Sequence, residues 1–280
     1  MPATYTPVRY PGGKTKLYPE IRAIIETNGL LGHPYAELFA GGAGLAIKLL
    51  LKGDVSSIVI NDYDRAVYCM WDAIVNHSEE LCEFINSAVL DIETWKKMRD
   101  MYQSHKGVDD LELGKAAFYL NRTNVSGILS GGVIGGLEQA GNYKMDVRFN
   151  RETLKKKVMD IAARRSDIEV TRIDAEEFID SRMSDSELFA YLDPPYVQKG
   201  PGLYRSSFDE EKHRSLAKKV GSAKSRWVVT YDADKLIDVI YGDYERSDLE
   251  IGYTANMKTI GKEKIILGPG LVWPEELKRC

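Results

Sequence analysis

Four short apolar runs, each closed by an acid or a glycine turn, set the strongest limit on how this chain can fold. PYAELF (34–39) leads into Ala40-Gly41-Gly42-Ala43-Gly44, and SSIVIND (56–62) ends on Asp62. IEVTRI (168–173) is followed by Asp174, and ELFAYL (187–192) by Asp193. Runs of this length and composition read as buried strands. RWVVTY (226–231) and KIILG (264–268) read the same way. Helical spacing fills LYPEIRAIIETNG (17–29) and GGAGLAIKLLLKG (41–53). Such alternation implies a parallel sheet with helices on both faces, a doubly wound α/β fold, in which ligands bind at the carboxyl ends of the strands.

The alternation breaks between the second and third runs. DRAVYCMWDAIV, EELCEFINSAVL, TWKKMRDMY and LGKAAFYLNR read as successive helices within residues 64–122. The glycine-rich SGILSGGVIGGLEQAG (126–141) is too long for a simple turn and reads as a functional loop. The expectation is a Rossmann-like α/β sheet built from residues 1–63 and 166–280, with a mostly helical insertion over 64–165.

Composition narrows the class further. At 44% hydrophobic and 29% charged, the 280 residues resemble an ordinary globular protein. No apolar run approaches the roughly 18 residues of a membrane span, and MPATYTPVRYPGGK lacks the apolar core of a signal peptide, so a cytoplasmic protein is expected. Cys69, Cys82 and Cys280 form no CxxC and read as two buried thiols and a terminal one. Four scattered histidines suggest no metal site. The net charge of −4 argues mildly against a nucleic-acid partner. Residues 142–165, however, carry eight Lys/Arg against three Asp/Glu, either a solvated helix face or a phosphate-binding strip.

Each strand end has a bland reading and a chemical one. The glycines after Glu37-Leu38-Phe39 serve a tight turn or the close approach of a ligand. Asp62 is either a helix cap or the acid that binds a ribose diol. Asp174 is either a cap with Glu177 as its capping-box partner or a ligand contact. Asp193-Pro194-Pro195-Tyr196 has no capping explanation, because no helix starts across two prolines. The phosphate-cradling GxxxxGK[ST] is absent, so a nucleoside without phosphates, S-adenosylmethionine rather than NAD or ATP, suits the set. The Asp193 carboxylate and Pro194 carbonyl would accept the two N–H hydrogens of an exocyclic amine and free its lone pair, with Tyr196 stacked on a flipped base.

These motifs together resemble the Dam-like (D12 class) DNA adenine-N6 methyltransferases over nearly the whole chain. RYPGGK (9–14) is similar to the family's N-terminal motif, which implies cofactor contacts from Tyr10, Gly12 and Lys14. AELFAGGAG resembles the glycine motif and implies Glu37, Phe39, Gly41 and Gly42, with Leu38 where the family usually has proline. IND resembles the ribose-binding motif (Asp62) and IDAEEF the one that reads the cofactor adenine (Asp174). DPPY resembles the catalytic motif, giving Asp193, Pro194 and Tyr196, with Asp193 also bordering the cofactor. The motif order is that of the α group, with target recognition in the insertion.

FYLNRTNVSGIL (118–129) resembles the conserved segment of the recognition region. It implies base readout by Asn121, Arg122, Asn124 and Gln139, and phosphate contacts from Lys144, Arg148 and Arg151. GATC-specific members carry an arginine where this chain has Ser130, and the surrounding stretch looks like a phage and bacterial branch. The loop after DPPY suggests Tyr204 and Phe208 near the target or the cofactor. The expected partner is double-stranded DNA, the expected state a monomer or weak dimer. Three other readings share parts of the pattern. N4-cytosine methylation uses the same amine chemistry but more often has Ser in place of Asp193. A non-catalytic DNA-binding relative would show decayed motifs. A dinucleotide oxidoreductase would need GxGxxG.

Overall fold

A computed structural model describes residues 4–197, 208–253 and 259–277. Seven strands form one sheet in the order β3-β2-β1-β4-β5-β7-β6. They are β1 (Tyr35–Glu37), β2 (Ile58–Asn61), β3 (Ile168–Thr171), β4 (Phe189–Leu192), β5 (Arg226–Asp232), β6 (Arg246–Tyr253) and β7 (Thr259–Leu267). β1 to β5 are mutually parallel, and β7 runs antiparallel to both β5 and β6. The chain fills one side of β1 first (β2, β3) and then crosses to the other (β4, β5). That reversal opens a crevice at the carboxyl ends of β1 and β4.

Period-two alternation explains why the central strands read as unbroken apolar runs. Tyr35, Phe189, Tyr191 and Val228 join the apolar cluster on one face, while Ala36, Ala190, Leu192 and Val229 join the cluster on the other. The second face is covered by α8 (Ala175–Arg182), α9 (Glu210–Gly221) and α10 (Lys235–Ile240). The first is covered by α1 (Tyr18–Thr27), α2 (Gly44–Lys52) and the helices between β2 and β3. Those are α3 (Arg65–Asn76), α4 (Ser78–Ser87), α5 (Ile92–Ser104), α6 (Asp110–Thr123) and α7 (Arg151–Ala162). Trp71, Trp95, Phe118 and Ile161 belong to the same cluster as the sheet residues, so this helical insertion is built onto the sheet.

Acidic caps start many of these helices: Asp64 before α3, Asp91 before α5, Asp109 before α6, Asp174 before α8 and Asp209 before α9 each accept from a backbone N–H one turn in. β6, which the sequence reading did not anticipate, is an edge strand, and β7 begins five residues before the KIILG run. Cys69 is buried and Cys82 half-buried, both as free thiols; Cys280 lies outside the described residues. Among the described residues no helix is long and apolar enough to cross a membrane.

Candidate active site

One cavity lies at the crevice, lined by Tyr10 to Lys14, Glu37 to Leu45, Asp62, Asp174, Asp193, Pro195 and Phe208. Its far wall comes from the insertion: Tyr102 on α5 and the Gly127–Ser130 stretch. Every cofactor-site residue expected from the motifs therefore borders a single space. Ser130 borders it too.

The turn after β1 is packed beneath Tyr10. A Cβ on Gly41 would sit 2.7 Å from the Tyr10 ring, and one on Gly42 2.7 Å from the Tyr10 Cβ. Gly41 also has φ +47°, so glycine is required there for both space and backbone conformation. Trp71 Nε1 donates to the Gly41 carbonyl at 2.8 Å. Glu37 is buried and accepts from Ala46 N at the start of α2 (2.8 Å) and from the Tyr35 hydroxyl (3.1 Å). Burial pushes its carboxyl up to about 8 against those two bonds.

Asp62 is not the cap of α3; Asp64 is. Asp62 Oδ2 accepts from Gly41 N at 2.9 Å and Oδ1 from Asp64 N at 3.0 Å, tying the glycine turn to the end of β2. Desolvation raises its carboxyl to about 7 despite the two donors. Its neighbour Asn61 acts as a clip: Nδ2 donates to the Leu38 and Ile173 carbonyls, while Oδ1 accepts from Thr171 Oγ1 and Ile173 N. Asp174 meets both readings, since it caps α8 through Glu176 N (2.9 Å) and also lines the cavity, 4.0 Å from Lys212 Nζ. Phe39 and Phe208 meet edge to face at 5.8 Å between centroids. Tyr204 lies outside the described residues.

Asp193 ends β4 with 17% of its side chain exposed. Its Oδ2 is 2.6 Å from Lys14 Nζ, and its Oδ1 accepts from Thr230 Oγ1 at 3.0 Å. The Tyr191 hydroxyl supports Thr230 from behind at 2.8 Å. Burial raises the Asp193 carboxyl, and Lys14 opposes that rise. Lys14 also donates to the Gly12 carbonyl (2.9 Å) and the Tyr196 hydroxyl (2.7 Å). Tyr196 in turn donates to Glu263 Oε1 at 2.6 Å. Thr230, Lys212 and Glu263 carry no sequence motif. The signal available for Thr230 was a polar residue inside the RWVVTY run near its site-facing end; Glu263, just before the KIILG run, offered none.

The expected nucleic-acid residues are arranged differently. Asn121 is fully buried, accepts from Arg9 N and donates to the Arg9 and Gly127 carbonyls. Asn124 is equally buried, accepts from Trp95 Nε1 and donates to the Ile128 and Leu129 carbonyls. With every amide atom committed to the protein, neither reaches a base edge, which corrects the readout expectation for both. Arg122 is likewise a strap, donating to the carbonyls of Arg148 and Pro7, with burial lowering its guanidinium to about 9. Arg151 is half-buried and donates to the Ile85 and Ala88 carbonyls. Gln139 spends its amide on Ile134, Gly136 and Met145 and shapes its own loop. Lys144 is exposed and donates to the Gln139 carbonyl. Arg148 is exposed, and its charge is felt by Arg9 and Arg122.

Fold and site together define a doubly wound α/β protein whose acids gather at the strands' carboxyl ends. Residues 10–256 match the D12 class N6 adenine-specific DNA methyltransferases, and the chain belongs to that family. The Type II methyltransferase M.CviBI of Paramecium bursaria Chlorella virus NC1A is 25% identical over 248 residues, which span 88% of this chain and 90% of the viral protein. Among solved structures, a putative methyltransferase, yhhF, from Escherichia coli aligns over 93% of this chain and 91% of its own, with a TM-score of 0.36 and 8% identity. Precorrin-6y C5,15-methyltransferase from Geobacter metallireducens GS-15 aligns over 89% and 87%, with a TM-score of 0.35 and 10% identity.

Proposed function

We propose that this protein transfers a methyl group from S-adenosylmethionine to adenine N6 in double-stranded DNA, at a specific site, after flipping the base out of the duplex. The reading rests on one observation: Asp62, Asp174 and Asp193 line the same cavity. The donor set suits an adenosine-type cofactor. Asp62 would hold the ribose diol, Asp174 the adenine amino group, and Phe39 with Phe208 the ring, beside the backbone of Gly41 and Gly42. Bound there, S-adenosylmethionine supplies an electrophilic methyl group.

The protein's share of the chemistry is positioning and electrostatics. Asp193 and the Pro194 carbonyl accept the two N6 hydrogens, which turns the amine lone pair out of conjugation. Positive charge develops on the nitrogen as it gains its fourth bond, and the nearby Asp193 carboxylate stabilises it. The surplus proton leaves to Asp193 or to water. Tyr196 stacks on the extruded base.

Target recognition belongs, in this reading, to the insertion over residues 64–165, with Lys144 and Arg148 as exposed phosphate contacts. The test is expression in a methylation-deficient bacterial host, followed by sequencing of the host DNA with detection of modified bases. N6-methyladenine at one recurrent motif, absent from an Asp193→Ala control, is the expected result. Unmodified DNA from a folded, cofactor-binding protein refutes the reading.

A further inference from the structure

Lys14, near the N-terminus, is shared between two carboxylates from the C-terminal half of the sequence. Its Nζ is 2.6 Å from Asp193 Oδ2 and 3.6 Å from Glu263 Oε1. Its Nζ donates to Asp193, the Tyr196 hydroxyl and the Gly12 carbonyl. Glu263 is 1% exposed, and its Oε2 has no hydrogen-bond partner among the described residues. A buried carboxyl oxygen without a partner is costly as an anion. In the resting arrangement the ammonium occupies one Asp193 oxygen and Thr230 the other. The reaction proposed above needs that carboxylate as an acceptor for the target amine.

We propose that Glu263 is a positioning residue for methyl transfer: from β7 it fixes the Tyr196 hydroxyl and competes with Asp193 for the Lys14 ammonium, leaving Asp193 free to accept the amine. This inference rests on the methyl-transfer reading. The surroundings of Glu263 support it. Lys14 faces it from the N-terminal segment, Asp193 and Tyr196 from the loop after β4, and Asp232 stands opposite it on β5; on the β6 side its register partner is the uncharged Leu249. Glu37 and Tyr35 on β1, Tyr191 on β4 and Tyr231 on β5 are further titratable groups around Asp193 and Lys14. Burial raises the Glu263 carboxyl to about 7, with Asp193 adding to the rise and Lys14 and Tyr196 opposing it. Protonated Glu263 holds Lys14 weakly and leaves it on Asp193; ionised Glu263 draws it away. Methyl transfer should therefore speed up as pH rises through neutrality.

The test is single-turnover methylation by the full chain at saturating cofactor, between about pH 5.5 and about pH 9. Saturation removes contributions from Glu37 and Asp62 that act through cofactor affinity. The wild-type rate should climb about tenfold through a limb near neutral pH. Glu263→Gln, which mimics the protonated acid, should stay at the low plateau throughout, with cofactor affinity within about threefold of wild type and an unchanged thermal midpoint. Glu263→Asp, which keeps the charge, should keep the limb. A Glu263→Gln protein with the wild-type rate and limb overturns the inference, as does a loss that merely tracks cofactor affinity or unfolding.

A second arm needs no activity: carbon-13 titration of the glutamate carboxyls in the wild-type protein, with the Glu263 signal assigned by its shift in Tyr196→Phe. Titration near neutral pH that moves higher in Lys14→Met, where the opposing ammonium is gone, supports the shared ammonium; a Glu263 titration unmoved by Lys14→Met overturns it. If wild type methylates no duplex at all, the methyl-transfer reading has failed on its own, and this second arm decides the Glu263 arrangement.

Discussion

The rim of the sheet and the helical insertion both supply walls to one cavity, yet they differ in how their polar side chains are used. On the rim, Asp62, Asp174 and Asp193 all border the one cavity. In the insertion, Asn121, Asn124, Arg122 and Arg151 are turned inward and spent on backbone carbonyls. The reason is geometric. A parallel sheet delivers the residue after every strand to the same edge, so its direction follows from topology. A polar residue near a helix end can face any side of the helix, and there the inward carbonyls of adjacent loops claim it first.

The contrast is sharpest for chemistry. Asp193→Asn should reduce single-turnover methylation by roughly 10²–10⁴-fold with DNA binding retained. A loss of less than about tenfold would place the rim acids among structural groups too. Glu37 gives the next effect. Its folded carboxyl titrates at about 8 against 4.5 unfolded, so the folded state binds the proton more tightly. That contribution to stability is present in full below pH 4.5 and is lost as pH rises through about 8. Relative to wild type, Glu37→Gln should therefore gain stability across that window, on the order of a few kcal/mol by urea unfolding at several pH values.

On the insertion side, Asn121→Ala leaves the Arg9 N–H and two carbonyls without partners. It should cost about 2 kcal/mol in urea unfolding while the methylated sequence stays the same. A changed target motif with stability intact would return Asn121 to the reading of DNA. Smallest of all, Arg148→Ala should weaken duplex binding a few-fold on every sequence and lower the salt slope by about 1, measured by titration at several salt concentrations.

How much of this could be read from the sequence follows the same divide. The positions of Asp62, Asp174 and Asp193 were legible because short apolar runs end immediately before or at them. β6 was not legible, because Arg246, Asp248 and Glu250 interrupt its apolar pattern, which an edge strand with a single neighbour tolerates. Glu263 stayed hidden for another reason. It lies just before the KIILG run, and only the antiparallel pairing that sets it opposite Asp232 carries it to the site. The inward turn of Asn121 depends on the Arg9 backbone, 112 residues away, which no local pattern encodes.

That antiparallel last pairing has a consequence for synthesis. Lys14 and Glu263 lie 249 residues apart in the chain, and β7 must pair with β5 before they can meet. Contacts of such long sequence separation form late, after most of the loop-closure entropy has been spent. A ribosome-bound chain can therefore complete the strands that carry Asp62, Asp174 and Asp193 while its catalytic centre is still missing one wall. The Lys14–Glu263 pair is completed only when the antiparallel strand is laid down, so it is among the last features of the site to form.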